Sequence, residues 1–208
     1  MKGKLLKNRE NISLMEKSRY DHGINRYMKK GGQMRKDGEL TALIGKNLTF
    51  EGYDVIYDHG VPGDNVGELV STIKQPYKRE DELSQLDIAI VEKSPDRKYR
   101  AIVLVEIEET SDRPKTIMGD IFGFLFGEHI FFKRQELQVG EFTTLIVAVI
   151  SKTEQMNRNE YILDRIKRVK SCLGTQNAQI GNVVIEKYTS ERELSEKLPS
   201  KLKSMCAL

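Results

Sequence analysis

Apolar positions recur along this chain with two different periods, and the alternation between them marks an α/β sequence. Over residues 35–51, Leu40, Leu43, Ile44 and Leu48 fall at helical spacing and predict an amphipathic helix that Gly52 ends. Residues 53–57 form a short β-rich run. Residues 59–68, with Gly60, Pro62, Gly63 and Gly67, read as an irregular loop. A second strand is expected over residues 69–73, closed by Pro76 and the charge run from Lys78 to Glu82. Residues 86–91 alternate and then turn apolar, and residues 100–107 are nearly continuous Ala, Ile, Val and Leu, as in a strand buried on both faces. The connection between them, with Ser94, Pro95 and Asp96, is short enough for an antiparallel hairpin.

Pro114 stands where a helix can start, and residues 115–128 or beyond carry Ile117, Ile121, Phe124 and Leu125 at helical spacing. Phe122, Phe126, Phe131 and Phe132 make this stretch apolar on several sides, which suits core or a dimer contact better than a ligand pocket. A third β run covers residues 142–150, a basic amphipathic helix 160–173, a strand 183–188 and a charged helix 190–204. The order describes an α/β sandwich around a mixed sheet. It divides the chain into residues 1–34, a basic N-terminal arm or helical extension, and residues 35–208, one α/β domain.

Charge adds an asymmetry to this picture. The whole chain carries only +3, yet residues 1–36 hold eleven Lys or Arg against Glu10, Glu16 and Asp21, interleaved with Tyr20 and Tyr27. Such a segment suits a phosphate backbone, and it equally suits a solvated terminal arm. The helix carrying Arg158, Arg165, Lys167, Arg168 and Lys170 has the same two readings. The apolar runs are far short of the roughly 20 residues that cross a bilayer, and no apolar segment follows the first lysines as in a signal peptide, so a cytoplasmic protein without a membrane partner is expected. Cys172 and Cys206 lack paired metal spacing and read as free thiols. His22, His59 and His129 are scattered and read as surface or loop residues.

The candidate chemistry is acidic. Strand alternation puts Ile102, Leu104, Glu106 and Glu108 on one face and Val103, Val105 and Ile107 on the other, so two carboxylates leave one side of the strand about 7 Å apart. If the hairpin is centred near 96.5, cross-strand partners sum to 193 and Asp87 lies beside Glu106. Ala89, on the same face as Asp87, would leave room next to the carboxylates. An acidic strand end facing solvent is the commonest explanation of a run such as Glu106 to Glu109. The matching register of Asp87 and the presence of Glu39 on the preceding helix favour a divalent cation instead.

These residues resemble the PD-(D/E)xK nucleases over most of residues 36–150: a helix with Glu39, the join Gly52-Tyr53 and Val55, a strand with Asp87, a strand with Glu106-Ile107-Glu108, then a helix across the sheet. The resemblance implies a restriction-endonuclease-like αβββαβ core with a mixed central sheet flanked by helices. It implies a Mg²⁺-dependent endonuclease acting on DNA, with Mn²⁺ able to substitute, and a homodimer if it is a type II restriction enzyme. Asp87, Glu106 and the Ile107 carbonyl would ligate the metal, and Glu39, Asp87, Glu106 and Glu108 would form the catalytic set. Glu108 stands where the family usually has lysine, as in its minority E-x-E variants. Positive charge near the DNA would then come from elsewhere, with Arg35, Lys36, Arg113 and Lys115 as candidates. The rival expectation is a nucleic-acid-binding protein of this fold without catalysis, and a third is an interaction protein whose basic arm binds another protein.

Overall fold

A computed structural model describes residues 38–75, 78–93, 98–109, 113–151 and 156–206. The chain divides after Glu39, and residues 40–208 form one compact unit. The basic segment 1–36, including Arg35 and Lys36, lies outside the described residues. The elements run α1 (Glu39–Asn47), β1 (Tyr53–Tyr57), β2 (Leu69–Thr72), β3 (Glu82–Leu86), β4 (Ile88–Lys93), β5 (Tyr99–Glu108), α2 (Pro114–Leu125), β6 (His129–Phe132), β7 (Gln135–Gln138), β8 (Thr144–Ile150), α3 (Met156–Lys170), β9 (Asn182–Tyr188) and α4 (Glu191–Cys206). Together they make a mixed, open α/β sheet flanked by four helices.

The sheet is organised around β5. β1 and β4 pair antiparallel, as do β4 and β5, while β5–β8 and β8–β9 are parallel. A second branch leaves the first two residues of β5 through β7, β6, β2 and β3. β4, β8 and the middle of β5 are buried because both of their faces are covered. Ala89, Leu104, Val147 and Val149 meet Ile117, Ile121 and Phe124 of α2 and Ile162 and Ile166 of α3 in one core. Ile88, Ile90, Val105 and Ile146 meet Leu40 and Ile44 of α1 and Leu194, Leu198 and Leu202 of α4 in the other. At Gly45 an added Cβ would sit 2.4 Å from the Tyr57 ring, so glycine there lets α1 lie close on β1.

Several expectations need correction. The helix expected over 35–51 is described only from Glu39 to Asn47; Gly38, with φ 90, precedes it, and Phe50 already makes a β-bridge. The charge run after Lys78 does not simply end a strand: it passes through a short 3₁₀ turn at Arg79–Asp81 into β3. The phenylalanine-rich helix stops at Leu125, and Phe131 and Phe132 belong to a hairpin of β6 and β7 whose turn holds Lys133 and Arg134 at positive φ. Phe124, Phe131 and Phe132 are core, while Phe126 is exposed. The loop after His59 folds back on its own strand rather than standing free. Tyr57 N donates to Asn65 O, Gly67 N donates to Tyr57 O, and the Lys133 ammonium donates to the carbonyls of Gly63 and Asp64 at 2.5 and 2.8 Å.

β5 contains a bulge that alters its alternation. Ile88, Ala89 and Ile90 pair with Val105, Leu104 and Val103, each pair summing to 193, but Val91, Glu92 and Lys93 pair with Ala101, Arg100 and Tyr99, summing to 192. Ile102 is the extra residue. It packs with Val103 on the α1–α4 face rather than with Leu104, contrary to simple alternation.

Candidate functional site: a row of carboxylates

At the end of the sheet where β4 begins and β5 finishes, acids occupy neighbouring strands. Asp87 lies at the bend between β3 and β4 rather than within a strand. Its amide donates to Val105 O at 2.9 Å, and its carbonyl accepts from the amide of Asp58 at 2.8 Å. On the β5 side, the sum of 193 last holds at Ile88 and Val105; the bond from the Asp87 amide to the same Val105 carbonyl breaks it, so Asp87 and Glu106 are not register partners. On the other side, β1 and β4 pair with a sum of 145, which continues to Asp58 and Asp87. Asp58 and Asp87 are therefore cross-strand neighbours, and Glu106 stands between Val105 and Ile107, the two residues of β5 whose backbones bond Asp87. Alternation from Ile56 and Leu104, both in the α2–α3 core, gives Asp58 and Glu106 the parity of the face that α2 covers, whereas the Asp87 side chain is tied to Thr41 of α1.

The chain fixes Asp87 tightly. Thr41 of α1, itself buried, donates its hydroxyl to Oδ1 at 2.8 Å, and the amide of Ile107 donates to Oδ2 at 2.7 Å. The N–H and C=O of one strand residue leave by the same edge, so the Ile107 carbonyl also faces the Asp87 side, beyond the last rung of the β4–β5 ladder. Burial raises the Asp87 pKa, while those two hydrogen bonds and nearby His59 lower it. Glu106 has no such relief: burial pushes its carboxyl well above the usual range, and Asp87, Asp120, Glu108 and Asp58 push it further, with no hydrogen bond among the causes.

Two acids of this site escaped the sequence reading. Asp58 is 4% exposed, and burial followed by Asp87, Glu68 and Glu82 raises it to about 7. Its Oδ1 accepts the His59 amide at 3.2 Å. Asp120, on α2, is raised to about 6 by burial and by Glu108 and Asp87. Each left a faint trace in the sequence. Asp58 keeps the parity of Ile56 one step past the apolar run, and Asp120 interrupts the apolar stripe of α2 between Ile117 and Ile121. His59, read as a plain loop residue, is half-buried and close enough for its charge to act on Asp87. His129 joins Glu136 at 2.7 Å on an exposed edge.

Of the expected residues, Asp87, Glu106, Glu108 and the Ile107 backbone are brought together. Glu39 is exposed at the first position of α1, and the α1 side chain that reaches Asp87 is Thr41. Arg113 and Lys115 are exposed around the start of α2. Ala89 leaves no open space, being wholly buried in the core against α2. Both cysteines are free thiols. No helix among the described residues is long and apolar enough to cross a membrane.

The donor set is all oxygen, the chemistry of a hard divalent cation. Among the described residues no three His, Cys, Asp or Glu side chains form a group that could hold a metal ion. An open row of carboxylates still fits Mg²⁺, which takes one or two of them and keeps several waters. Comparison of the chain with protein-family models, with curated proteins and with solved structures gives no match.

Proposed function

We propose that the chain is a metal-dependent endonuclease that hydrolyses DNA phosphodiester bonds, built on a restriction-endonuclease-like core. The observation that carries this reading is the gathering of Asp58, Asp87 and Glu106 at one end of the sheet, a concentration of like charge that a divalent cation would relieve. The arrangement β1–β4–β5–β8, antiparallel twice and then parallel, with α2 between β5 and β8, also supports it. In the family this chain resembles, such a core carries the acids on the same strands.

Asp87, Glu106 and the Ile107 carbonyl would hold the ion. Bound there, Mg²⁺ would polarise the scissile phosphate and make water a better nucleophile at neutral pH. Thr41 and the Ile107 amide keep Asp87 in one orientation, so its remaining lone pairs face the site. Glu108, acidic where the family usually has lysine, accepts a proton from the attacking water. Arg113 and Lys115 contribute positive charge for the DNA backbone. A homodimer would place two such sites on the two strands of a duplex.

The absence of that lysine favours a second reading, a protein of the same fold that binds nucleic acid without cutting it. Incubating the full chain with plasmid and linear duplex DNA in Mg²⁺ or Mn²⁺ separates them. Cleavage that disappears in Asp87→Asn and Glu106→Gln while DNA binding persists supports the nuclease. Tight binding without cleavage across many sequences selects the second reading, and no affinity for DNA sinks both.

A further inference from the structure

We infer that Lys133 is a positioning residue of the candidate site: from the turn between β6 and β7 its ammonium holds the loop 59–68, and through that loop the Asp58 backbone beside Asp87. That these acids act on a substrate is the reading of the preceding subsection; the hold itself does not depend on it.

Each step of the path is a direct contact. The Lys133 ammonium donates to Gly63 O at 2.5 Å and to Asp64 O at 2.8 Å. The next carbonyl, Asn65 O, accepts the Tyr57 amide at 3.0 Å, and the Gly67 amide donates to Tyr57 O at 3.1 Å, so the returning limb of the loop lies along the end of β1. Asp58 follows Tyr57, and its amide donates to Asp87 O at 2.8 Å. Residues 61–65 are exposed, so no buried side chain of their own fixes them. An ammonium with three donors can take two of their carbonyls at once.

Two local features are accounted for by this role. Phe132 pairs with Gln135, so two residues make the turn, and both of them, Lys133 and Arg134, have positive φ, 47 and 70. That is the type I′ geometry, in which asparagine and glycine are favoured and a lysine is strained. A turn that only joined two strands would gain from losing the lysine, whereas a turn that aims an ammonium at the loop needs it. The second feature is Gly67. It has no positive φ to accommodate, yet a Cβ on it would lie 2.9 Å from Lys133 Cε and 3.2 Å from Cγ, so its bare backbone is the bed on which the lysine stem lies.

The test is residue-resolved amide hydrogen exchange of the full metal-free chain for the parent, Lys133→Asn and Lys133→Arg, with divalent-dependent cleavage of plasmid DNA read in parallel. Asparagine suits the turn and is too short to reach the loop; arginine keeps donors that can bridge two carbonyls. In Lys133→Asn the amides of Tyr57, Asp58 and Gly67 should exchange about tenfold or more faster while those of β6 and β7 keep parental rates, and Lys133→Arg should restore most of the protection. Cleavage should fall about tenfold in Lys133→Asn at unchanged DNA affinity and recover in Lys133→Arg. Parental exchange at Tyr57 and Gly67 in Lys133→Asn overturns the hold. Faster exchange there with Asp58 unchanged overturns the positioning role, as does acceleration that spreads equally through β6 and β7, acceleration that Lys133→Arg leaves in place, or parental cleavage by a Lys133→Asn protein with a loosened Asp58. A parent that cuts no DNA removes the nuclease reading and leaves the exchange rates to decide the role of Lys133.

Discussion

On α4, Glu193 accepts hydrogen bonds at 2.6 Å from the Lys197 ammonium, the Thr189 amide and the Thr189 hydroxyl. Lys197 above all, then Thr189, holds its carboxyl down at about 2. At the ends of β4 and β5 the same functional group stands under the opposite condition. Glu106 and the half-buried Asp120 stand among acids, and both are pushed up. The Glu193 carboxylate is completed by its own chain: Ser190, Thr189 and Lys197 surround the first turn of the helix in a capping arrangement. The row is left incomplete by the described residues, and the difference separates a carboxylate that builds a helix from carboxylates arranged for something else.

The largest effects should come from removing members of the row. Asp87→Asn or Glu106→Gln is expected to lower divalent-dependent DNA cleavage by at least about a hundredfold, measured as initial rates on plasmid DNA. The protein should remain folded, because each substitution also removes a buried charge. A variant that keeps parental rates would leave the row without a catalytic role.

The next contrast is in pH. Asp58 and Asp120 have folded-state values near 7 and 6, above their ordinary 3.8, so the folded protein binds these protons more tightly than the unfolded chain. Their stabilising contribution is complete below about pH 3.8 and is lost as pH rises through 6 to 7, with a slope of up to roughly 1.4 kcal/mol per pH unit for each group. Denaturant melts of the metal-free protein between pH 4 and pH 7 should show this decline, and Asp58→Asn should flatten it. Glu193 has the opposite sign: its folded value lies below 4.5, so its contribution is present above pH 4.5 and is lost as pH falls towards about 2. Saturating Mg²⁺ should reverse the decline at neutral pH if the row holds a cation. A slope that Asp58→Asn leaves untouched would show that other groups set it.

Smaller changes probe the supports. Thr41→Val removes one of two donors to Asp87, at a cost of about 1–2 kcal/mol in denaturant melts, with weaker Mn²⁺ binding alongside. Lys197→Met should do least, moving the melting temperature hardly at all, because Glu193 and Lys197 are exposed to water and salt. If Lys197→Met proved as costly as Thr41→Val, the contrast between the two regions would need another cause.

Much of the architecture was legible because periodicity is a local property. β1, β5, β8, β9 and the start of α2 at Pro114 follow from runs of apolar residues and their punctuation. The acids of β5 were legible for the same reason, whereas the register sum expected to set Asp87 beside Glu106 stops at Ile88, and Asp87 instead bonds the backbones of Val105 and Ile107. The hairpin geometry behind that sum was right for three pairs only, since 193 applies from Ile90 to Ile88 and 192 towards the turn. What stayed hidden depends on long-range pairing. β3 is polar at alternate positions and is a strand because β2 accepts it, and Phe131 and Phe132 continue an apolar run whose switch from helix to hairpin rests on a turn at Lys133 and Arg134. Asp58 and Asp120 become site residues only when β1 pairs with β4 and when α2 crosses the sheet.

The extra residue at Ile102 divides the β4–β5 hairpin into two parts that tolerate change differently. Between the bulge and the turn, a gained or lost residue would shift Tyr99 and Arg100 against β7 and Ala101 in the core, but would leave the acids in register. Between the bulge and Glu108, the same change would flip each following side chain across the sheet and turn the acids away from Asp87. Counting residues from the turn to the acids is therefore a poor guide in any chain descended from this one, whereas counting back from Glu106 to the bulge should remain reliable.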